Sequence, residues 1–422
     1  MPRADVVVIG AGLAGLSCAA ELASSGASVF LAGKGMAATH WTHGGLDVAV
    51  AAGARTPRDG VRLLADEAAH PYAALASEIE GAMDGHLARL AGAGLPMRGS
   101  LDAPLVPIPT AIGGLRPAAI LPEAQAAALD PWQGDGLLLL AFRGYRDAWA
   151  AYAARNLAAS DWPGGPGVIR GLEVELPDLE ELRNLNARSL AHLFEDPAWR
   201  GPALEAIARA VPEGSWRIGL PAVLGIGAHT VVFSEAEAAV GHRIIEMPSL
   251  PPSIPGLRLY DALRGTILAA GGRAQVGFDV VEVERDGRRV VAIHTEAASR
   301  TLRLGADQFV LATGGIGGEG IRALPDGTLV ERVLGLPVEA PPRDRWFSDD
   351  PLVPHPLEAA GIRVDESLRP LDAQGNVVFD NVRVIGSALA GMHYLEQRCG
   401  DGVALTSAHA VARRLALGRA AA

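Results

Sequence analysis

Three glycines set the first piece of chemistry. Gly10, Gly12 and Gly15 stand at GxGxxG spacing in VVVIGAGLAGL, directly after an apolar run and at the start of an Ala- and Leu-rich segment. At such spacing the first glycine permits a tight turn and the second lets a pyrophosphate approach the backbone. The third lets the helix pack close to the strand. With Ala11, Leu13 and Ala14 between them, they form a loop whose N–H groups and helix-dipole charge suit a phosphate-bearing ligand.

A dinucleotide site of this kind usually ends its second strand in Asp or Glu, which grips the ribose hydroxyls. Here VFLAGKG puts Gly33 at that place and Lys34 beside it. Lys34 is the single lysine among 37 basic residues, the rest being arginine. Two readings stand. Either another group holds the ribose, or the ligand ends at a phosphate that Lys34 meets as a point charge.

Further along, Thr313-Gly314-Gly315 closes the run FVLAT, and Gly386 closes VRVIG. In flavoproteins that bind a dinucleotide, a strand ending in TGG returns beside the first loop, and its glycines leave room for the ligand. Gly400-Asp401-Gly402 then opens a helix that continues through Val403 and Ala404. A helix N-terminus aimed at a flavin ring would stabilise the electron-rich side of its reduced form. The loop after the second strand, THWTHGGLD, offers Thr42, His43, Gly44 and Gly45 to a flavin edge. His43 there could donate a hydrogen bond or move a proton, although a lone surface histidine is the commoner outcome, and His229 in GIGAHTVV follows a Gly-rich turn from which it could face substrate. Cys399 precedes a helix N-terminus, which favours a thiolate, although a small buried hydrophobe is the commoner role.

The elements that must position these groups are legible in outline. Asp5–Gly10 reads as a strand buried on both faces, Leu13–Ala23 as a helix, and Ser28–Ala32 as a second strand. From about residue 55 to 250, helical stretches (Tyr72–Ala91, Tyr145–Ala159, Pro202–Ala210) alternate with Pro/Gly-rich joints. Leu257–Ala270 reads as a helix. Asp279–Arg285 and Arg289–Thr295 read as a hairpin on Asp286-Gly287. Gln308–Ala312 and Val382–Ile385 read as strands, and Gly402–Leu417 as the last helix. The fold class is therefore α/β, a Rossmann-like FAD/NAD(P)-binding three-layer flavoprotein fold with an inserted cap or substrate domain. Its nucleotide domain is discontinuous: residues 1–54, 251–320 and 376–422 build it, 55–250 form the cap, and 321–375 make a further excursion.

Composition narrows the function. At 49% apolar and 20% charged residues the chain can bury a large core. A net charge of −11 argues against a nucleic-acid partner. Two cysteines leave no CxxC for zinc or an iron–sulphur cluster, so no metal site is expected. No run approaches 18 uncharged apolar residues and no signal-peptide pattern opens the chain. It reads as soluble and cytoplasmic, reaching the inner face of the cell membrane only through a partner.

Six blocks together carry a resemblance: VVVIGAGLAGL, the THGGLD loop, PTAIGGLRPA (Pro109–Ala118), GLPAVLGIG (Gly219–Gly227), EMPSLPPSIPGLRLYDALR (Glu246–Arg264) and RCGDGVALTSAHAVA (Arg398–Ala412). In this order, over nearly the whole chain, they resemble the B subunit of anaerobic glycerol-3-phosphate dehydrogenase. More distantly they are similar to the fumarate reductase and succinate dehydrogenase flavoproteins. The resemblance implies oxidation of sn-glycerol 3-phosphate to dihydroxyacetone phosphate, with electrons passed towards quinone. It implies two partners: a catalytic A subunit, and an iron–sulphur C subunit that attaches the pair to the membrane. It assigns FMN to the B subunit, in line with the carboxylate missing at Gly33, while the first loop keeps FAD as the alternative. A base would take the substrate's hydroxyl proton and an arginine would hold its phosphate. Two other readings stay open: a stand-alone fumarate-reductase-like enzyme acting on another small organic acid or alcohol, and a non-catalytic, nucleotide-binding assembly protein.

Overall fold

The computed structural model describes residues 3–179, 185–297 and 300–420. The chain divides into two compact units. The first comprises Met1–Thr39, Asp47–Ala93 and Tyr260–Ala422, the second His40–Leu46 and Gly94–Leu259.

The first unit begins with β1 (Ala4–Ile9), α1 (Leu13–Ser24) and β2 (Val29–Gly33). Val6 to Ile9 are buried, as an unbroken apolar run in a parallel sheet should be. After α2 (Ile79–Gly92), the chain returns with β3 (Arg273–Val276), β4 (Asp279–Asp286), β5 (Arg289–Ala297) and β6 (Arg300–Leu311). It finishes with β7 (Val382–Val384) and α3 (Gly400–Ala420). Strands β3, β2, β1, β6 and β7 lie side by side, all parallel. That is the 3-2-1-4-5 order of a dinucleotide-binding sheet, with the first βα turn at its centre.

Strand β6 is long enough to serve two sheets. Its second half pairs with β1 (Val6 opposite Gln308, Ile9 opposite Leu311). Its first half pairs antiparallel with β5 (Ala292 opposite Gly305), and β5 pairs with β4 (Asp286 opposite Arg289) around the expected Asp-Gly turn. Helix α3 packs on α1 and α2.

The second unit carries its own four-stranded parallel sheet, in the order Arg243–Met247, Trp216–Pro221, Gly136–Phe142, Ile169–Val174. The apolar run Leu137–Phe142 is its fully buried centre. Ala150, Ala153, Ala154 and Leu157 lay one face of helix Ala150–Ala159 on Leu137, Leu139, Ala141 and Met247.

The observed boundaries differ from the expected ones. The second unit starts at Gly94, not at 55, and runs to Leu259. Residues 47–93 stay with the first unit because their partners are there: the Tyr72 hydroxyl donates to the Val48 carbonyl at 2.7 Å, and α2 packs on α3. Residues 321–375 also belong to the first unit. The stretch that reads as one helix over Tyr72–Ala91 is interrupted by a 3-10 turn at Ala76–Glu78.

Candidate cofactor site

The glycine loop is sterically obligatory. Gly10 has φ +117°, and a Cβ there would lie 2.2 Å from the Ala312 carbonyl oxygen. A Cβ at Gly15 would lie 2.0 Å from the Gly10 carbonyl oxygen. Gly12 is different: its Cβ would meet only the Ala37 methyl, at 3.5 Å. The two outer glycines therefore make the fold, and the middle one keeps the backbone open to a ligand. Gly12 is also the N-cap of α1, with no side-chain cap and no acidic residue in the first turn. Such an end presents uncompensated N–H groups and partial positive charge, which suits a phosphate.

The other glycine-rich ends converge here. Gly314 has φ +83°, a Cβ on Gly315 would lie 2.5 Å from the Ser387 carbonyl oxygen, and the Gly315 N–H reaches the Ser387 hydroxyl at 3.3 Å. A Cβ on Gly386 would lie 2.7 Å from the Ala14 methyl. The Thr313 hydroxyl is buried and has no hydrogen-bond partner among the described residues. A cleft of about 340 Å³ opens from this point, lined by Gly10, Ala11, Lys34, Gly35, Phe278, Asp279, Val280, Thr313, Glu319 and Arg332 among others. An open backbone, an uncapped helix start and a buried orphan hydroxyl fit a pyrophosphate-bearing ligand.

Gly33 lines up with the missing carboxylate for a packing reason. A Cβ there would sit 2.6 Å from the Ala11 methyl. Lys34 is half exposed, and its ammonium lies 3.3 Å from the Glu319 carboxylate.

The helix expected to point at a flavin starts differently. The N–H groups of Asp401 and Gly402 both donate to the Asp47 carbonyl at 3.1 Å, and Val403 donates to Cys399. A Cβ on Gly402 would lie 2.0 Å from the Tyr72 hydroxyl. Val403 and Ala404 are buried. The Asp401 and Gly402 N–H groups of this first turn thus fasten Asp47 instead of standing free for a ligand. Cys399 is buried too, and burial pushes its thiol up to about 12, so the thiolate expected of a helix start is not favoured.

Thr42, His43, Gly44 and Gly45 belong to the second unit. Ser253 holds this loop: its N–H donates to the His40 carbonyl at 2.9 Å and its hydroxyl to the Thr42 carbonyl at 2.5 Å. The Gln125 amide donates to the His43 carbonyl at 2.7 Å. Gly44 has φ +93°, and its Cβ would lie 2.5 Å from the Pro255 ring. A Cβ on Gly45 would lie 2.6 Å from His43 Nε2, so Gly45 makes room for that ring.

His229 sits in a buried ionic cluster. Arg258 grips Glu246 with two nitrogens, at 2.5 and 3.1 Å, and donates to the Gly225 carbonyl at 2.9 and 2.7 Å. Glu246 also accepts from the Leu224 N–H at 2.8 Å. His229 Nδ1 lies 2.9 Å from the Leu224 carbonyl, which requires it to donate, leaving Nε2 to face Arg258 at 3.4 Å. Burial pushes the imidazole below its ordinary range, and the pull of Glu246 does not offset it. Both ring nitrogens are thus engaged in holding the GIG turn. The buried Arg200 and Arg217 are likewise paired, with Glu235 and Asp135.

Residues 5–403 match the model of the FAD binding domain family. The chain is 30% identical over 426 residues to a probable anaerobic glycerol-3-phosphate dehydrogenase B subunit of Halobacterium salinarum, covering 97% of this chain and 96% of that one. It is 31% identical over 432 residues to the anaerobic glycerol-3-phosphate dehydrogenase B subunit of Yersinia enterocolitica, covering 97% of each. The chain belongs to the FAD binding domain family and to the family of anaerobic glycerol-3-phosphate dehydrogenase B subunits. Among solved structures it is similar to the 3-ketosteroid delta1-dehydrogenase from Sterolibacterium denitrificans, with a TM-score of 0.46, 13% identity, and 99% and 100% of the two chains covered.

As a member of a flavoprotein family, the chain is an oxidoreductase, and its relatives are named as one subunit of a larger enzyme. No described helix is long and apolar enough to cross a membrane, and no described group of three or more His, Cys, Asp or Glu side chains could hold a metal ion. Sequence reasoning missed Ser253, Gln125, Glu246, Arg258 and Glu319. The first, third and fourth lie inside the EMPSLPPSIPGLR block that carries the resemblance, which is the available signal. Nothing local marks Gln125 or Glu319.

Proposed function

We propose that this chain binds FAD and acts as the B subunit of an anaerobic glycerol-3-phosphate dehydrogenase. It would oxidise sn-glycerol 3-phosphate to dihydroxyacetone phosphate and pass electrons towards quinone through its partner proteins. The end-to-end match to relatives of that name carries the reading. The bound flavin supplies a two-electron acceptor.

FAD is preferred here to FMN because the cleft continues past the phosphate turn. It runs between the end of β2 and Phe278–Val280, a space that a mononucleotide leaves unused. In this reading Gly12 and the α1 N-terminus hold the pyrophosphate, and Thr313 donates or accepts at its edge. His43, in a loop fixed by Ser253 and Gln125, is the proton-handling candidate. His229 is better suited to holding the GIG turn. The phosphate-binding arginine must be sought outside Arg200, Arg217 and Arg258, whose charges are already paired.

The test is the mass of the flavin released on denaturation, followed by dye-linked turnover with glycerol 3-phosphate, with and without the co-expressed partners. Release of FAD and turnover with this substrate support the reading. FMN alone would overturn the cofactor, and turnover only with a different organic acid or alcohol would overturn the substrate.

A further inference from the structure

We propose that Glu319 replaces the carboxylate missing from β2: it recognises the ribose hydroxyls of the cofactor's adenosine half, and Lys34 positions it. The inference rests on the FAD reading above.

The place where such a carboxylate ordinarily stands is closed. A Cβ on Gly33 would meet Ala11 Cβ at 2.6 Å and Ala11 N at 3.3 Å. No side chain fits there, so a ribose in the cleft must be met from elsewhere.

Two carboxylates line the cleft. Asp279 is bonded to Arg332, whose side chain is mostly covered. Glu319 is held more loosely, by two exposed cations. It stands in the glycine-rich turn TGGIGGEG after β6, with φ +59° and ψ 12°. That region is costly for a residue with a side chain, and residues held there cluster at functional positions. The turn is firmly built: Glu319 and Gly320 donate to the Ile316 and Gly315 carbonyls at 3.1 Å, and a Cβ on Gly320 would lie 2.0 Å from the Gly314 carbonyl oxygen. The one residue in it with a long polar side chain reaches the cleft.

The charges around Glu319 agree with this role. Lys34 and Arg322 each approach it at 3.3 Å, at the exposed edge of the cleft. These are long contacts that a hydroxyl can share. They keep the carboxylate ionised, hence acceptor-only, which suits two neighbouring hydroxyl donors. Lys34 also offsets the negative charge that Glu319 would otherwise present to a pyrophosphate in the same cleft. A carboxylate at this point selects a free 2′-hydroxyl.

The experiment uses the full chain stripped of flavin, titrated calorimetrically with ADP, 2′-deoxy-ADP and FMN. The wild type should bind ADP about tenfold more tightly than 2′-deoxy-ADP, the scale of one charge-assisted hydrogen bond. Glu319→Gly, which suits the positive φ, should lose that preference and keep its FMN affinity. Persistence of the preference in Glu319→Gly, its absence in the wild type, or an equal loss for ADP and FMN would each overturn the assignment. A wild type that releases only FMN on denaturation refutes the FAD reading on its own. A wild type that releases FAD while Glu319→Gly keeps its 2′ preference refutes Glu319 alone.

Discussion

Ser253 fastens Thr42, 211 residues away in sequence, through a hydroxyl-to-carbonyl hydrogen bond of 2.5 Å. The same hydroxyl accepts from the Gly256 N–H at 3.1 Å, in the first turn of helix Ile254–Ala269. One buried side chain thus joins the start of that helix to the His40–Gly45 loop.

Ser253→Ala removes the joint and leaves the Thr42 carbonyl and the Gly256 N–H without it. We expect a loss of about 1–3 kcal/mol in urea unfolding. Ser100→Ala on the surface should move the urea midpoint by much less. An equal shift in both variants would mean that this joint adds nothing to stability.

Gly33→Glu restores the residue that the dinucleotide pattern calls for. Its Cβ would press on Ala11 at 2.6 Å, at the N-terminal turn that faces the phosphate. Overpacking of this kind costs about 1–3 kcal/mol. The variant should melt lower and hold less flavin than the wild type, despite matching the pattern better. A gain in flavin affinity would show that the β2 end is freer to move than its packing implies.

The Glu246–Arg258 pair should be intolerant of removal from one side only. Glu246 is fully buried, and an unpaired Arg258 would remain in its place, which typically costs about 3–5 kcal/mol. Glu246→Ala is expected to unfold at clearly lower urea, and Arg258→Met in the same background should recover part of the loss. If the double variant is no better than the single, the cost lies in the cavity and not in the stranded charge.

Local chemistry makes the nucleotide half of the fold readable. A buried run, three glycines and a small-residue helix specify β1–α1–β2, and Asp286-Gly287 specifies the hairpin, because each signal acts within a few residues. The sequence reads a helix over Leu257–Ala270. The helix begins at Ile254, since a proline in the first turn gives up no intrahelical hydrogen bond. Sequence pattern misplaces the start of the second unit because residues 72–92 find their partners in the Val48 carbonyl and α3, and nothing in their own sequence says so. The same holds for Glu319. The sequence shows a carboxylate absent at Gly33, but only the return of the chain after β6 brings another to the cleft, 285 residues from Lys34.

His86 gives the pH dependence a definite sign. It is wholly buried on α2, and neither ring nitrogen has a hydrogen-bond partner among the described residues. Burial, reinforced by nearby Arg89, pushes its imidazole down from 6.5 to about 3. The unfolded chain therefore binds a proton at a pH where the folded chain does not. The stability associated with a neutral His86 is fully present above pH 6.5 and is lost as pH falls from there towards 3. Between pH 7 and 5 that amounts to about 2 kcal/mol from this one group. Glu246, whose folded pKa is depressed by Arg258 and its other partners against the effect of burial, contributes stability that fades only below 4.5, so it does not mask the effect at pH 5. His86→Leu removes two buried polar atoms that have no partner and should be neutral or stabilising at pH 7. Its urea midpoint should fall less than the wild type's between pH 7 and pH 5. An identical fall in both proteins would show that the acid sensitivity of this fold lies elsewhere.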